Sequence, residues 1–455
     1  MANEILIHWQ GHSEEVNKIK GFFSRFNIAT QLNRAGIRKS KGFPVKDVFA
    51  KIFAVSFLGK DIYHGIVKNS DESIGKDVFY DFLKCEKFNW RNFTLRLAVQ
   101  MISFFHELTD AKREKVLIVD DSTLSRNRSK TAELLARVFD HTENKYLKGY
   151  RFLSICWSDG VSFLPLDFAL LSSANKKSRL QEATKNIDKR TCGYKRRLEA
   201  QTPTPELLEP MVKRVLNTGV RAKYLLMDSL FMMPKTIARL KKHIHPIGMI
   251  KKSSKIHYIF KGQAVSVKTL YRRVKKKPGK ARIPASARVT LKSGDEAKIV
   301  FVRDRRRKSD WLALLTTDVD LADEEVVRLY GKRWDIEVFF KMSKQHLGLE
   351  KGVQTRDFDS QIAHTSIVMV RYMFIAWEQR HNDDSRTFGE LFRACCSEMA
   401  DLGFLDALKR ILELSMEKLQ KAGELHEKAY QALISAIFGA SIEFFGLNPD
   451  NIQKI

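Results

Sequence analysis

Three acidic residues stand where the chain could gather carboxylates. Val116-Leu117-Ile118-Val119 is a short apolar run of buried-strand type and ends on Asp120-Asp121-Ser122-Thr123. Tyr224-Leu225-Leu226-Met227 is a second such run and ends on Asp228, while Glu337 lies on a helical stretch further along. Carboxylates at the ends of neighbouring buried strands can converge on one sheet edge. A hard divalent ion such as Mg²⁺ or Mn²⁺ takes oxygen ligands there and keeps several waters. Two such ions about 3.5–4 Å apart can activate a water and steady the leaving oxygen of a phosphodiester, so no nucleophilic side chain is needed. An Asp after a strand is also an ordinary turn or cap residue. The surroundings of Glu337 therefore weigh heavily.

Tyr330, Arg333, Glu337 and Lys344 lie at offsets 0, 3, 7 and 14, which recur on one helical face, and Lys341 falls on the same stripe. Val338, Phe339 and Met342 lie on other faces and are the core candidates. An acid flanked by Arg, Lys and a phenol suits a metal-bound phosphodiester: the carboxylate holds the ion and the cations take phosphate oxygens. The plain alternative is a solvated face with an Arg–Glu pair one turn apart.

The spacing Tyr330-x2-Arg333-x3-Glu337-x6-Lys344 resembles the Y-x2-R-x3-E-x6-K signature of the insertion-sequence-four family of bacterial DDE transposases, to which the transposon-five enzyme belongs. Asp121-Ser122-Thr123 and Met227-Asp228-Ser229 are similar to that family's two earlier acid positions. Side chains of Asp120 and Asp121 leave a strand on opposite faces, and the Ser-Thr that follows, with the family pattern, favours Asp121. The resemblance implies an α/β fold with a ribonuclease-H-like catalytic core, a β-rich insertion before the last glutamate, and helical regions on both sides. It further implies that Asp121, Asp228 and Glu337 bind two Mg²⁺ or Mn²⁺ ions and are catalytic, with Tyr330, Arg333 and Lys344 holding phosphates. The activity implied is cleavage at insertion-sequence ends and strand transfer to target DNA, by cut and paste. The partners implied are double-stranded DNA (terminal inverted repeats and target) and a second copy of the chain, as a homodimer on DNA. Family members also place an aromatic against a flipped base; Trp311 is a candidate, with core packing as its other role.

Charge divides the chain that must position these residues. The sequence of 455 residues carries 80 Lys+Arg against 53 Asp+Glu, for a net charge of +27. Such a balance calls for a polyanion or a membrane surface. The best apolar run, Ile367 to Trp377, is too short to span a bilayer and carries Arg371. There is also no signal-peptide layout at Met-Ala-Asn-Glu, so nucleic acid is the expected partner and the cytoplasm, near the bacterial nucleoid, the expected location. Residues 251–308 hold 20 basic and three acidic side chains. The runs Arg272-Arg273-Val-Lys275-Lys276-Lys277 and Arg305-Arg306-Arg307-Lys308 within them are expected to meet DNA.

The expected organisation is a helical, DNA-end-binding region over 1–110, a catalytic core over 111–375 with its basic β-rich insertion at about 250–315, and a helical dimerisation region over 376–455. Within the core, Arg151 to Trp157 and Val161 to Leu170 read as strands joined at Ser158-Asp159-Gly160, and Lys292-Ser293-Gly294-Asp295 reads as a further hairpin turn. A long polar helix is expected over roughly 178–217, and another over about 322–346 with Asp320 as its cap. Lys195-Arg196-Arg197 is a third, weaker basic run. His141, His243, His245 and His364 lack ligand spacing and read as structural; the five scattered cysteines read as reduced thiols. Two other functions fit the same surface: a non-catalytic DNA-binding regulator or relic, and a nuclease of the same fold that cuts without joining.

Overall fold

The structure, a computed structural model, describes residues 14–67, 75–108, 113–140, 143–184, 186–279, 281–304, 310–381 and 387–396, with residue 436. Helices come first: α1 (Glu14–Arg25), α2 (Ile28–Arg34), α3 (Val45–Ala54), α4 (Lys76–Lys84) and α5 (Trp90–Glu107). Strand β1 (Val116–Ser125) follows, and its first four residues are buried. They form a continuous apolar run because helices and loops cover both faces of the strand.

Strand β1 lies between an antiparallel and a parallel neighbour. After β2 (Ala136–Asp140), the long β3 (Lys145–Ser158) runs antiparallel to β1 along its whole length. It returns as β4 (Phe163–Leu171) through a turn in which Gly160 has a φ of 90°. That left-handed conformation suits glycine. The backbone N–H groups of Val161 and Ser162 donate to Asp159 Oδ1 in the same turn. On the other side β5 (Tyr224–Met227) runs parallel to β1, and β6 (His245–Met249) parallel to β5. The order β4-β3-β1-β5-β6, three antiparallel strands and then two parallel to the first, is that of a ribonuclease-H-like core; the fold is α/β.

The basic segment extends this sheet. Strands β7 (His257–Phe260), β8 (Gln263–Ser266), β9 (Ala285–Thr290), β10 (Glu296–Arg303) and β11 (Trp311–Thr316) form it, and β11 pairs antiparallel with β6. The expected hairpin at Lys292–Asp295 joins β9 to β10. Between β4 and β5 the polar stretch is not one helix but two, α6 (Cys192–Ala200) and α7 (Thr204–Leu216), separated at Pro203; proline fixes an extended entry there. Helix α8 (Pro234–Leu240) links β5 to β6, and α9 (Val267–Arg273) follows β8. The predicted helix over 322–346 is likewise two, α10 (Asp323–Gly331) and α11 (Trp334–Gln345), with Lys332 and Arg333 at the joint. Ala322 is the cap of α10, and Asp320 pairs with Arg288 instead.

Helix α12 (Phe358–His381) is buried over almost its entire length. Phe374 makes edge-on ring contacts with Phe22, Phe53 and Phe57, so the N-terminal helices share one core with the sheet. Among the described residues no helix is long and apolar enough to cross a membrane.

Buried ions tie these layers together. Asp167, in the middle of apolar β4, accepts from Arg91 of α5 and Arg214 of α7. Arg197 bridges Glu133 and Asp359, and Arg196 also pairs with Asp359. The run Lys195-Arg196-Arg197 is thus no DNA surface at its last two positions, since both guanidinium groups are buried on carboxylates. Arg371 of α12 is the exception in kind. Among the described residues no acid pairs with it: its guanidinium donates to the carbonyls of Ile52 and Phe53, in the last turn of α3, and to Leu347 just beyond α11. Its charge sits on three carbonyl dipoles, and burial alone pulls its pKa down to about 9. Replacing Arg371 by Ala leaves the buried carbonyls of Ile52 and Phe53 without their donor, while Leu347 keeps Ser56 Oγ, and is expected to cost about 3 kcal/mol of stability. Urea unfolding of the full chain beside Lys341→Ala, an exposed position expected to be neutral, measures the difference.

Candidate active site on β1 and β5

In the parallel ladder Val119 sits opposite Met227, so Asp120 and Asp228 follow at the same level on adjacent strands. Residues at one level of a ladder share a face. The face is fixed from the other side of β1: Phe152 of β3 pairs with Ser122 and packs its ring against Phe339 and Phe340 of α11. Alternation along β1 therefore turns Asp120 and Ser122 toward α11. Asp121 faces away and forms an ion pair with Arg151. The geometry thus departs from the expectation that Asp121 would join Asp228 and Glu337; Asp120 is the acid brought to them.

Arg333 organises the cluster. Its Nη1 donates to Asp120 Oδ2 at 2.7 Å and its Nη2 to Glu337 Oε1 at 2.8 Å. The predicted Arg333–Glu337 pair is present, one helical turn apart, but it also reaches across to the sheet. The Tyr330 ring lies beneath the guanidinium, 5.9 Å from its centroid. Burial and the charge of Asp228 push the Tyr330 hydroxyl up to about 12, against the pull of Arg333. Burial opposes the charge on Arg333, yet Tyr330, Asp120 and Glu337 together hold it firmly protonated. Asp120 is pushed up to about 7, first by burial and then by the charges of Asp121 and Asp228, with Arg333 pulling the other way.

The remaining predicted residues are placed apart. Lys344 lies 3.8 Å from Glu350, whose carboxylate also accepts the backbone N–H of Ser125 at the end of β1. Lys341 is exposed on the outer side of α11. Phe339 is buried as expected, Met342 partly so, and Val338 is exposed. Arg272, Arg273, Lys275 and Lys276 are all exposed around the end of α9, on the insertion. Arg305, Arg306 and Arg307 lie outside the described residues, as does His141. Trp311 stacks on Tyr271 at 4.5 Å, meets Phe301 edge-on and has the Lys252 ammonium over its ring, contacts that account for it by packing. His364 is buried against the Gly348 carbonyl, and His243 and His245 bond to Glu209 and Thr317.

Among the described residues no three His, Cys, Asp or Glu side chains stand close enough together to hold a metal as they are. The reason is visible in the cluster, where a guanidinium lies between two of the acids. The donor set nonetheless fits a hard cation: carboxylate oxygens on β1, β5 and α11, one of them with its pKa raised by burial and then by the charges of neighbouring acids.

A ribonuclease-H-like sheet with an acid in the middle of β1 and another just past β5 defines a class of nucleic-acid-cutting enzymes. A family model described as DDE superfamily endonuclease matches residues 65–313, more than half of the chain, and the chain belongs to that family. The match includes Asp120, Asp121 and Asp228 and ends before Glu337. No curated protein matches the sequence. Endonucleases of this superfamily act on DNA and generally use divalent metals.

The raised Asp120 has a consequence for stability. Its folded-state pKa lies above the ordinary carboxylate value of 3.8, so ionisation disfavours the fold as pH rises from about 4 to 7. Asp120→Asn removes that cost. In the presence of a chelator, the variant is expected to gain about 1–2 kcal/mol on wild type between pH 4.5 and pH 8, read by urea unfolding at both pH values.

Proposed function

We propose that this chain is a transposase that cuts DNA at the ends of an insertion sequence and joins them to a target, with Asp120, Asp228 and Glu337 as its acidic triad. The observation that carries this reading is the convergence of Asp120 and Glu337 on Arg333, with Asp228 beside Asp120 on the next strand. The Tyr330-Arg333-Glu337-Lys344 spacing supports the insertion-sequence-four assignment within the superfamily. Asp121, expected from sequence, is in this reading a buttress for Arg151.

Asp120, Asp228 and Glu337 would hold the divalent ions, Mg²⁺ or Mn²⁺, two per site. When bound, such ions supply a nucleophilic water and stabilise the leaving oxygen of the phosphodiester. Arg333 orients a phosphate by two N–H donors, and the Tyr330 hydroxyl, held protonated, donates one more hydrogen bond. Lys344, at the far end of the stripe, neutralises a phosphate further along the strand. The exposed cations around α9 grip duplex DNA through its backbone, where each neutralised phosphate steepens the salt dependence of binding. The N-terminal helices as the reader of the terminal repeat, and residues 376–455 as the contact in a homodimer, complete the proposal.

Cleavage of duplex DNA taken from the flanks of the coding region, with Mg²⁺ or Mn²⁺, tests the triad. Asp120→Asn and Glu337→Ala are each expected to lower the nicking rate by about 100-fold or more while binding persists. Asp121→Asn is expected to stay within about tenfold of wild type. The opposite ranking of the two aspartates would return the role to Asp121, and binding with no wild-type cleavage would make the chain a regulator. The combined Arg272→Ala, Arg273→Ala, Lys275→Ala and Lys276→Ala variant is expected to flatten the slope of log affinity against log salt by up to about 4.

A further inference from the structure

We infer that Arg333 is a built-in counter-ion that keeps divalent metal out of the acidic cluster until a DNA phosphate draws it away. The inference rests on the metal-site reading above and goes beyond it, since it assigns an order of binding. One guanidinium joins an acid of the sheet to an acid of the helix, at 2.7 Å and 2.8 Å, and so occupies the space in which those oxygens would share a cation. Both ends of this bridge are shielded: Arg333 and Asp120 retain 14% and 15% of their side-chain exposure, so the pairing is not a loose surface contact. Glu337 keeps 42% and is the side open to an incoming ligand.

The local chain lets the side chain leave. Arg333 stands at the joint between α10 and α11, where the backbone changes from one helix to the next through i→i+3 bonds such as Arg333 N–H to the Tyr330 carbonyl. Gly331, two residues earlier, has nothing packed where a side chain would begin. A phosphate offers the same planar fork two acceptor oxygens. Exchange of two carboxylates for one phosphate conserves the hydrogen bonds of Arg333 and frees Asp120 and Glu337 together. Metal loading and DNA binding then favour one another, as linkage requires. Without DNA the acids stay neutralised internally.

Mn²⁺ binding to the full-length protein, read from the free-ion signal in electron paramagnetic resonance, tests this without reference to cleavage. Wild type alone, wild type with a 30-base-pair duplex in low salt (about 30 being a length chosen to cover one site), Arg333→Ala alone and the double variant Arg333→Ala with Asp228→Asn are compared. Arg333→Ala without DNA is expected to bind Mn²⁺ about tenfold tighter or more than wild type without DNA, a change of about 1.4 kcal/mol. The duplex is expected to bring wild type to the level of that variant, and the double variant to lose the gain. Arg333→Gln, which keeps a polar side chain, replaces Arg333→Ala if the latter unfolds. Equal Mn²⁺ affinity in wild type and Arg333→Ala, abolished by Asp228→Asn, would overturn the gate and leave the metal site standing. No Mn²⁺ bound by either variant or by the DNA complex would overturn the metal site itself.

Discussion

One guanidinium fixes how the helical layer meets the sheet. Arg371 is buried in the middle of α12 and donates to carbonyls at the end of α3 and at the exit of α11. A helix leaves its last carbonyls without internal partners, and a cation there also complements the negative end of the helix dipole. The arginine thus satisfies what α3 cannot satisfy for itself. It does so while anchoring the segment that follows α11, the helix that carries Glu337. The phenylalanine contacts around Phe374 then fill the space between the anchored elements. Rigidity at the C-terminal end of α11 is what allows its N-terminal end to face β1 in one orientation.

The ion networks complete the frame by a different route. Asp167 and Asp359 are buried acids, each served by two arginines from neighbouring helices. In these clusters the desolvation of each charge is offset by short, multiple hydrogen bonds, and removal of one member leaves the others uncompensated. They hold α5, α6 and α7 against β4 and tie α6 to the first turn of α12.

Much of this was legible in the sequence, for definite reasons. Val116–Val119 and Tyr224–Met227 announce buried strands because parallel strands covered on both faces must be apolar throughout. The acids that end them, the Ser158–Gly160 and Lys292–Asp295 turns and the basic insertion were equally plain. The same continuity hid the choice between Asp120 and Asp121. A run of four apolar residues carries no parity, so only the packing of Phe152 on α11 reveals which face is which. The joint at Lys332–Arg333 was hidden because the apolar period runs on through it, and the break between α6 and α7 was missed although Pro203 and Pro205 stand at it. Arg196 and Arg197 looked like a solvated run, because their partners Glu133 and Asp359 are remote in sequence. Exposure of the cations near α9, by contrast, follows from their density: twenty basic side chains against three acids leave too few carboxylates to bury them.

The insertion hydrogen-bonds into the same sheet as the acidic strands, through β6 and β11. Five ladder steps separate β1 from β9 along β5, β6, β11 and β10. At about 4.8 Å per step that is roughly 24 Å, or about seven nucleotides of 3.4 Å rise. A loop or tether would let this span drift with thermal motion; a ladder of backbone hydrogen bonds does not. The protein thus carries a caliper of fixed opening. In the proposed reading, with the cations next to β9 holding DNA, the offset between that hold and the nick would be a property of strand count, and changing it would take the insertion or deletion of a whole strand.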